Sequence, residues 1–153
     1  MTKNQYREQY EAALGEFLLR YNQLESTLNA IVEMLLQRCG KMHLYESADM
    51  FARKLNQLEL LCLAFDPMHY PDFAKIRTVN ADRIELAHGH LNVDPNTGDI
   101  KTVKAQSTIP NKGRPISPEQ IKGASGRAKA ALDDLQAMLP YIYFAHTPLA
   151  SDG

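Results

Sequence analysis

From Tyr6 to Leu35 the apolar side chains recur at steps of three and four: Tyr6, Tyr10, Leu14, Phe17, Tyr21, Leu24, Leu28, Ile31 and Leu35. That spacing predicts one long amphipathic helix of the kind that packs in bundles. Gly40 supplies a stop just beyond it. A second helix is predicted from the same spacing in Leu44, Ala48, Phe51, Leu55, Leu58, Cys62 and Phe65. Asp66-Pro67 ends it, because the residue before a proline is pushed out of the helical region.

A third helix is predicted from Pro71-Asp72 to about His88, with Gly89 as a left-handed cap. Its inner seam runs Phe73, Ile76, Asn80, Arg83 and Ala87, with Val79 and Leu86 beside it. Here the pattern breaks, because Asn80 and Arg83 stand where the other helices place Leu or Phe. Beyond Gly89 the helical period stops. Leu91 and Val93 alternate with polar residues, residues 94–98 form a turn cluster, and Ile100, Thr102 and Lys104 alternate again. A short β-hairpin or an irregular arm fits this stretch. Ile109 to Pro115 reads as a basic, turn-rich loop.

Ser117-Pro118-Glu119-Gln120 opens a fourth helix with an N-cap, a proline at the first helical position and a Gln placed for a capping box. Ile121, Ala124, Ala128, Ala131, Leu132, Leu135 and Leu139 form its apolar face. The small residues Gly123, Ala124, Gly126 and Ala128 permit close approach to a neighbour. After Pro140, Tyr141–Phe144 form a last packed turn, and 147–153 is expected to fray. The expected architecture is therefore all-α, one domain over 1–146, with four or five helices and an arm after the third.

Composition narrows the function classes. The chain has 153 residues, 44% hydrophobic and 23% charged, which is ordinary globular composition. No apolar run approaches the ~20 residues that span a bilayer, and the N-terminus lacks the apolar stretch of a secretory signal. Cys39 and Cys62 have no metal-type spacing and fall on apolar helical stretches, so buried free thiols in a cytoplasmic protein are expected. The net charge of −1 hides an asymmetry. Lys101, Lys104, Lys112, Arg114, Lys122, Arg127 and Lys129 stand against one acid, Glu119. Such a stretch marks either a polyanion-facing surface or a solvated loop.

Arg83 is the residue that stands out. A guanidinium on a core-facing seam is costly unless it is paired or lines a wet cleft. His88 lies five positions on, roughly 140° round and about 7.5 Å along an ideal helix. At the last turn the helix dipole favours its imidazolium. His88-Gly89-His90 makes a poor zinc set without nearby Cys or carboxylates, so no metal and no cofactor are expected. Gly123–Gly126 lacks the lysine spacing of a phosphate loop. Tyr6, Tyr10, Phe17 and Tyr21 read as core rather than as base-stacking platforms.

Arg83-Ile84-Glu85-Leu86-Ala87-His88-Gly89, at the end of the third helix of a small helical chain, resembles the R-x(4–6)-H signature of the HEPN superfamily, especially members reading R-N-x-x-A-H-G. The Leu24-Glu25 step, the polar arm after His-Gly and the helix opened by Ser-Pro-Glu-Gln are similar to small bacterial members. The resemblance implies an up-and-down bundle of four or five helices, a homodimer with the motifs of both protomers in a shared cleft, and metal-independent RNA endonuclease activity of a toxin or phage-defence kind. It carries Arg83 and His88 over as catalytic. His90 satisfies the looser spacing, Asn80 lies one turn before Arg83, and Glu85 stands i, i+3 from His88 as either its partner or a surface acid. Lys101, Lys104, Lys112 and Arg114 are the expected RNA-backbone contacts. Ile84 replaces the polar residue that follows Arg in many active members. It favours the other expectation, a non-catalytic dimerisation module or a partner for a protein such as a nucleotidyltransferase antitoxin.

Overall fold

A computed structural model describes residues 2–46, 50–93, 96, 100–104 and 114–144, without the side chains at 3, 87–93, 100–104, 114–115 and 143–144. The expectations for Ala48, the turn at 94–98 (Asn96 apart), Lys112 and the tail 147–153 lie outside the described residues. The chain is mainly helical. No helix among the described residues is long and apolar enough to cross a membrane.

Helix α1 spans Lys3–Arg38, 36 residues or about 54 Å. Thr2 caps it by accepting from the Gln5 backbone N–H, while the Gln5 side chain returns to the Thr2 N–H. Its predicted seam is the spine of the core: Phe17, Leu24, Leu28 and Ile31 are fully buried. Gly40 ends the helix at φ 64°, a left-handed conformation in which a Cβ would be strained.

Helix α2 covers Phe51–Phe65. It begins later than the spacing predicts, because Met42–Leu44 forms a separate 3-10 turn with no buried residue to continue the seam. Leu55, Leu58 and Cys62 are buried against α1, and Asp66 terminates the helix at φ 46°. Lys54 is also buried, with its ammonium 5.8 Å from the centre of the Tyr45 ring.

Helix α3 covers Phe73–His88. Asp72 and His69 tie its start to the helix at Pro118–Gln136: Asp134 accepts from the Asp72 backbone N–H at 2.6 Å and contacts His69 Nε2 at 2.8 Å. At Gly89 the chain passes straight into strand β1 (Gly89–Val93), with no residue between helix and strand. β1 pairs antiparallel with β2 (Ile100–Lys104), which pairs antiparallel with the two-residue β3 (Arg114–Pro115).

Helix α4 covers Pro118–Gln136 and carries the predicted capping box, with Ser117 accepting from the Gln120 N–H. Its packed small face is Ala124, Ser125, Ala128 and Ala131, whereas Gly123 and Gly126 are exposed. α4 is the helix that packs most extensively on α1, as small side chains allow. A short helix α5 (Leu139–Phe144) buries Ile142 at the far end.

The helix directions differ from an up-and-down order in one step. The Tyr21 and Phe51 rings lie 5.2 Å apart, and Leu35 and Phe65 line one apolar cavity. α2 therefore runs the same way as α1. The reason is the connection 39–50: twelve residues reach up to about 40 Å, enough to carry the chain back alongside α1, where a short turn would enforce antiparallel neighbours. α3 then runs opposite to α2, with Arg77 of α3 bonded to Asn56 and paired with Glu59. α4 runs opposite to α3, since Asp72 meets Asp134 and Asp82 meets Arg127.

Both cysteines are free, but only Cys62 is buried. Cys39 is half-exposed because it sits at the C-cap of α1, beyond the packed seam. Burial pushes the Cys62 thiol up to about 11, which keeps it protonated and unreactive near neutrality.

Two substitutions test this packing. Ser117→Ala should cost about 1 kcal/mol in urea unfolding through loss of the cap. Leu28→Ala should cost about 2–5 kcal/mol, because it opens a cavity in a fully packed seam. Equal, small losses at both positions would contradict the assigned core.

Candidate functional site

The half-buried flank of α3 is where the sequence pattern broke. Ile76 and Val79 are fully buried and Leu86 nearly so, so these three make the true inner seam. Asn80 and Arg83 lie half-buried beside it. A polar pair at i, i+3 shares one helix face, and that face looks toward the middle of α1.

Tyr21 of α1 meets both residues. Its hydroxyl donates to Asn80 Oδ1 at 2.9 Å, and the Arg83 guanidinium carbon stands 5.5 Å from the centre of its ring. Phe51 at 5.2 Å and Phe17 at 6.4 Å flank the same ring. The phenol is pushed up to about 12, first by burial and then by the nearby Glu25 carboxylate, with Arg83 acting in the opposite sense. Tyr21 is thus a neutral hydrogen-bond donor at any physiological pH.

Sequence reading assigned Tyr21 to the core and gave it no polar role. It is core, at 3% exposed, and it also joins α1 to both polar residues of α3. The available signal was the hydroxyl itself: a buried tyrosine usually finds a hydrogen-bond partner, and Asn80 was an unexplained polar residue on a facing seam.

Glu85 is placed elsewhere. It lines a cavity of about 270 Å³ between α3 and α4 together with Asp82, Leu86, Gln120 and Arg127. Arg127 binds Asp82 through two nitrogens, at 2.9 and 3.2 Å, and its guanidinium is held up mainly by that hydrogen bond. The cavity therefore opens on a different side of α3 from Arg83. Ile84 is 49% exposed, directly after Arg83 on the open surface.

His88 closes α3, and His90 lies in β1 opposite Val103; their side chains lie outside the described residues. The strand register sets the backbone of Lys104 opposite Gly89 and that of Arg114 opposite Thr102. β1 and β2 both lie against α3, so the positions of Lys101 and Lys104 are brought to the same end of the molecule as His88. The basic stretch is weaker than its composition implies, because Arg127 is paired with Asp82 and Lys129 with Asp133. Among the described residues no group of His, Cys, Asp and Glu could hold a metal ion.

No family model matches the chain, and no curated protein and no solved structure matches it either.

The Tyr21 environment has a pH consequence. A phenol raised above its unfolded value of about 10 adds stability that is complete below that pH and is lost as pH rises towards about 12. Tyr21→Phe should therefore make urea stability less sensitive to pH in that alkaline window and remove one late-titrating phenol from the ultraviolet difference spectrum. Loss of a phenol titrating near the ordinary value of about 10, instead of the late one, would contradict the buried setting of Tyr21.

Proposed function

We propose that the protein is a metal-independent RNA endonuclease of the toxin or phage-defence type, cytoplasmic and working as a homodimer, with Arg83 and His88 as its catalytic residues. The observation that supports this most is the setting of Arg83. A permanently charged side chain is kept half-buried on the helix face that also carries Asn80, five residues before the helix ends at His88. A guanidinium needed only for solubility would gain from full exposure instead.

The chemistry fits these residue types. Strand cleavage without a metal requires that the 2′-hydroxyl lose its proton and that O2′ attack phosphorus. The P–O5′ bond then breaks, and the leaving oxygen takes up a proton. An imidazole can accept the first proton and, as imidazolium, deliver the second. Arg83 offers a planar fork to two non-bridging phosphate oxygens as charge builds on them. The products are a 2′,3′-cyclic phosphate and a 5′-hydroxyl. With one Arg and one His per chain, a dimer that joins two motifs in a common cleft supplies both proton-transfer roles. Lys101, Lys104, Lys112 and Arg114 hold the RNA backbone in this reading, and Asn80 and His90 are secondary members of the site.

A second reading, a non-catalytic HEPN-type module that dimerises or binds a nucleotidyltransferase antitoxin, is favoured by one observation. Ile84 places a large apolar side chain on the open surface directly beside Arg83, which suits a protein interface better than an RNA cleft.

An RNA digest in EDTA with wild-type, Arg83→Ala and His88→Ala proteins separates the two. The nuclease reading expects cleavage by the wild type and a loss of at least ~10²-fold in each variant. Equal cleavage by wild type and His88→Ala would show the activity to be a contaminant and leave the binding module.

A further inference from the structure

We infer that Tyr21 is the positioning residue for Arg83: its ring is the platform on which the guanidinium rests, and its bond to Asn80 fixes that platform to α3. The inference rests on the reading of Arg83 as a phosphate-binding group, and extends it to a residue on a different helix.

An arginine side chain has several rotatable bonds, and an unsupported one spreads its charge over many orientations. A tyrosine face within about 6 Å gives the cation a preferred plane, and the observed separation is 5.5 Å. The ring is itself fixed, because Phe17 and Phe51 hold it from the core side. Its hydroxyl is bonded to Asn80, one helical turn before Arg83. The platform and the cation are therefore referenced to the same helix, and movement of α1 against α3 cannot separate them without breaking the Tyr21–Asn80 bond.

The ring contact is also compatible with anion binding: the ring meets only the face of the cation, so the contact with Tyr21 itself takes up none of the guanidinium N–H donors. Neutral Tyr21 adds no competing negative charge, since its proton is held up to about pH 12. Tyr10 offers an internal contrast. It is buried on the same helix seam, and among the described residues its hydroxyl has no hydrogen-bond partner.

The test uses the full chain with arginine side chains labelled for NMR and a short 2′-O-methyl oligonucleotide that binds but cannot be cleaved. In the wild type the Arg83 Nε–H signal should carry a ring-current shift and move further as the oligonucleotide is added. Tyr21→Leu should abolish the ring shift and weaken oligonucleotide binding about tenfold, as Arg83→Ala does, and the double variant should lose no more than either single one. Tyr21→Phe, which keeps the ring but loses the bond to Asn80, should retain the ring shift and show the same severalfold loss of affinity as Asn80→Ala, while Tyr10→Phe should match the wild type. If Tyr21→Leu proves poorly folded, Asn80→Ala leaves the core intact and should broaden the Arg83 signal and weaken binding severalfold. Wild-type affinity in folded Tyr21→Leu or Asn80→Ala, multiplying losses in the double variant, or an Arg83 signal indifferent to the oligonucleotide would each overturn the inference. Should the binding results hold while unmodified RNA stays intact, the positioning role stands and the nuclease reading fails.

Discussion

The apolar seam of α1 is the constraint on which the other elements depend, because α2, α3, α4 and α5 each bury their own apolar side chains against it. Phe17, Leu24, Leu28 and Ile31 have no exposed surface, and each such side chain contributes on the order of 1.5–3 kcal/mol by leaving water. Alanines on α4 let that helix approach closely, while α2 and α3 supply larger groups on the other sides. Tyr21 stands on this seam between Phe17 and Leu24. The site is thus an edge of the core, where one seam residue carries a hydroxyl and the facing helix carries an amide and a guanidinium.

That placement explains how a charged group can sit partly inside. A half-buried arginine gives up some hydration, and the face of Tyr21 offsets part of that loss. An Arg127-type arrangement is the alternative within the same molecule: that residue is held by two bonds to Asp82 and its charge is spent on joining α3 to α4. Arg127 thus joins α3 to α4 through a carboxylate, while the Arg83 guanidinium lies over an aromatic ring of α1.

Much of the helical layout was legible in the sequence because a 3.6-residue apolar period is a strong signal over long segments. The end of α1 at Gly40, the end of α2 at Asp66 and the Ser117 capping box all follow from it or from local capping chemistry, whereas the Thr2 cap of α1 lies ahead of the apolar seam. The direction of α2 was not legible. Residues 39–50 are long enough to reverse the chain or to return it, and periodicity carries no information on which. The start of α2 was missed for a related reason, since Leu44 keeps the period without being buried. Lys54 is buried where no pattern marks it. Arg83 and Asn80 were legible as breaks in a seam, whereas Tyr21 was hidden because an aromatic on a seam satisfies the core pattern fully. Glu85 lines the cavity beside Arg127, and its pairing with His88 lies outside the described side chains.

The role proposed for Arg83 is to bind an anion and not to hold the fold together, and its effect on stability tests this most directly. Urea unfolding of Arg83→Ala should give a free energy within about 1 kcal/mol of the wild type, the range expected for a partly exposed side chain outside a buried ionic network. A loss of about 3–5 kcal/mol, as expected when one partner of a buried ionic network is removed, would make Arg83 a structural residue and contradict the account.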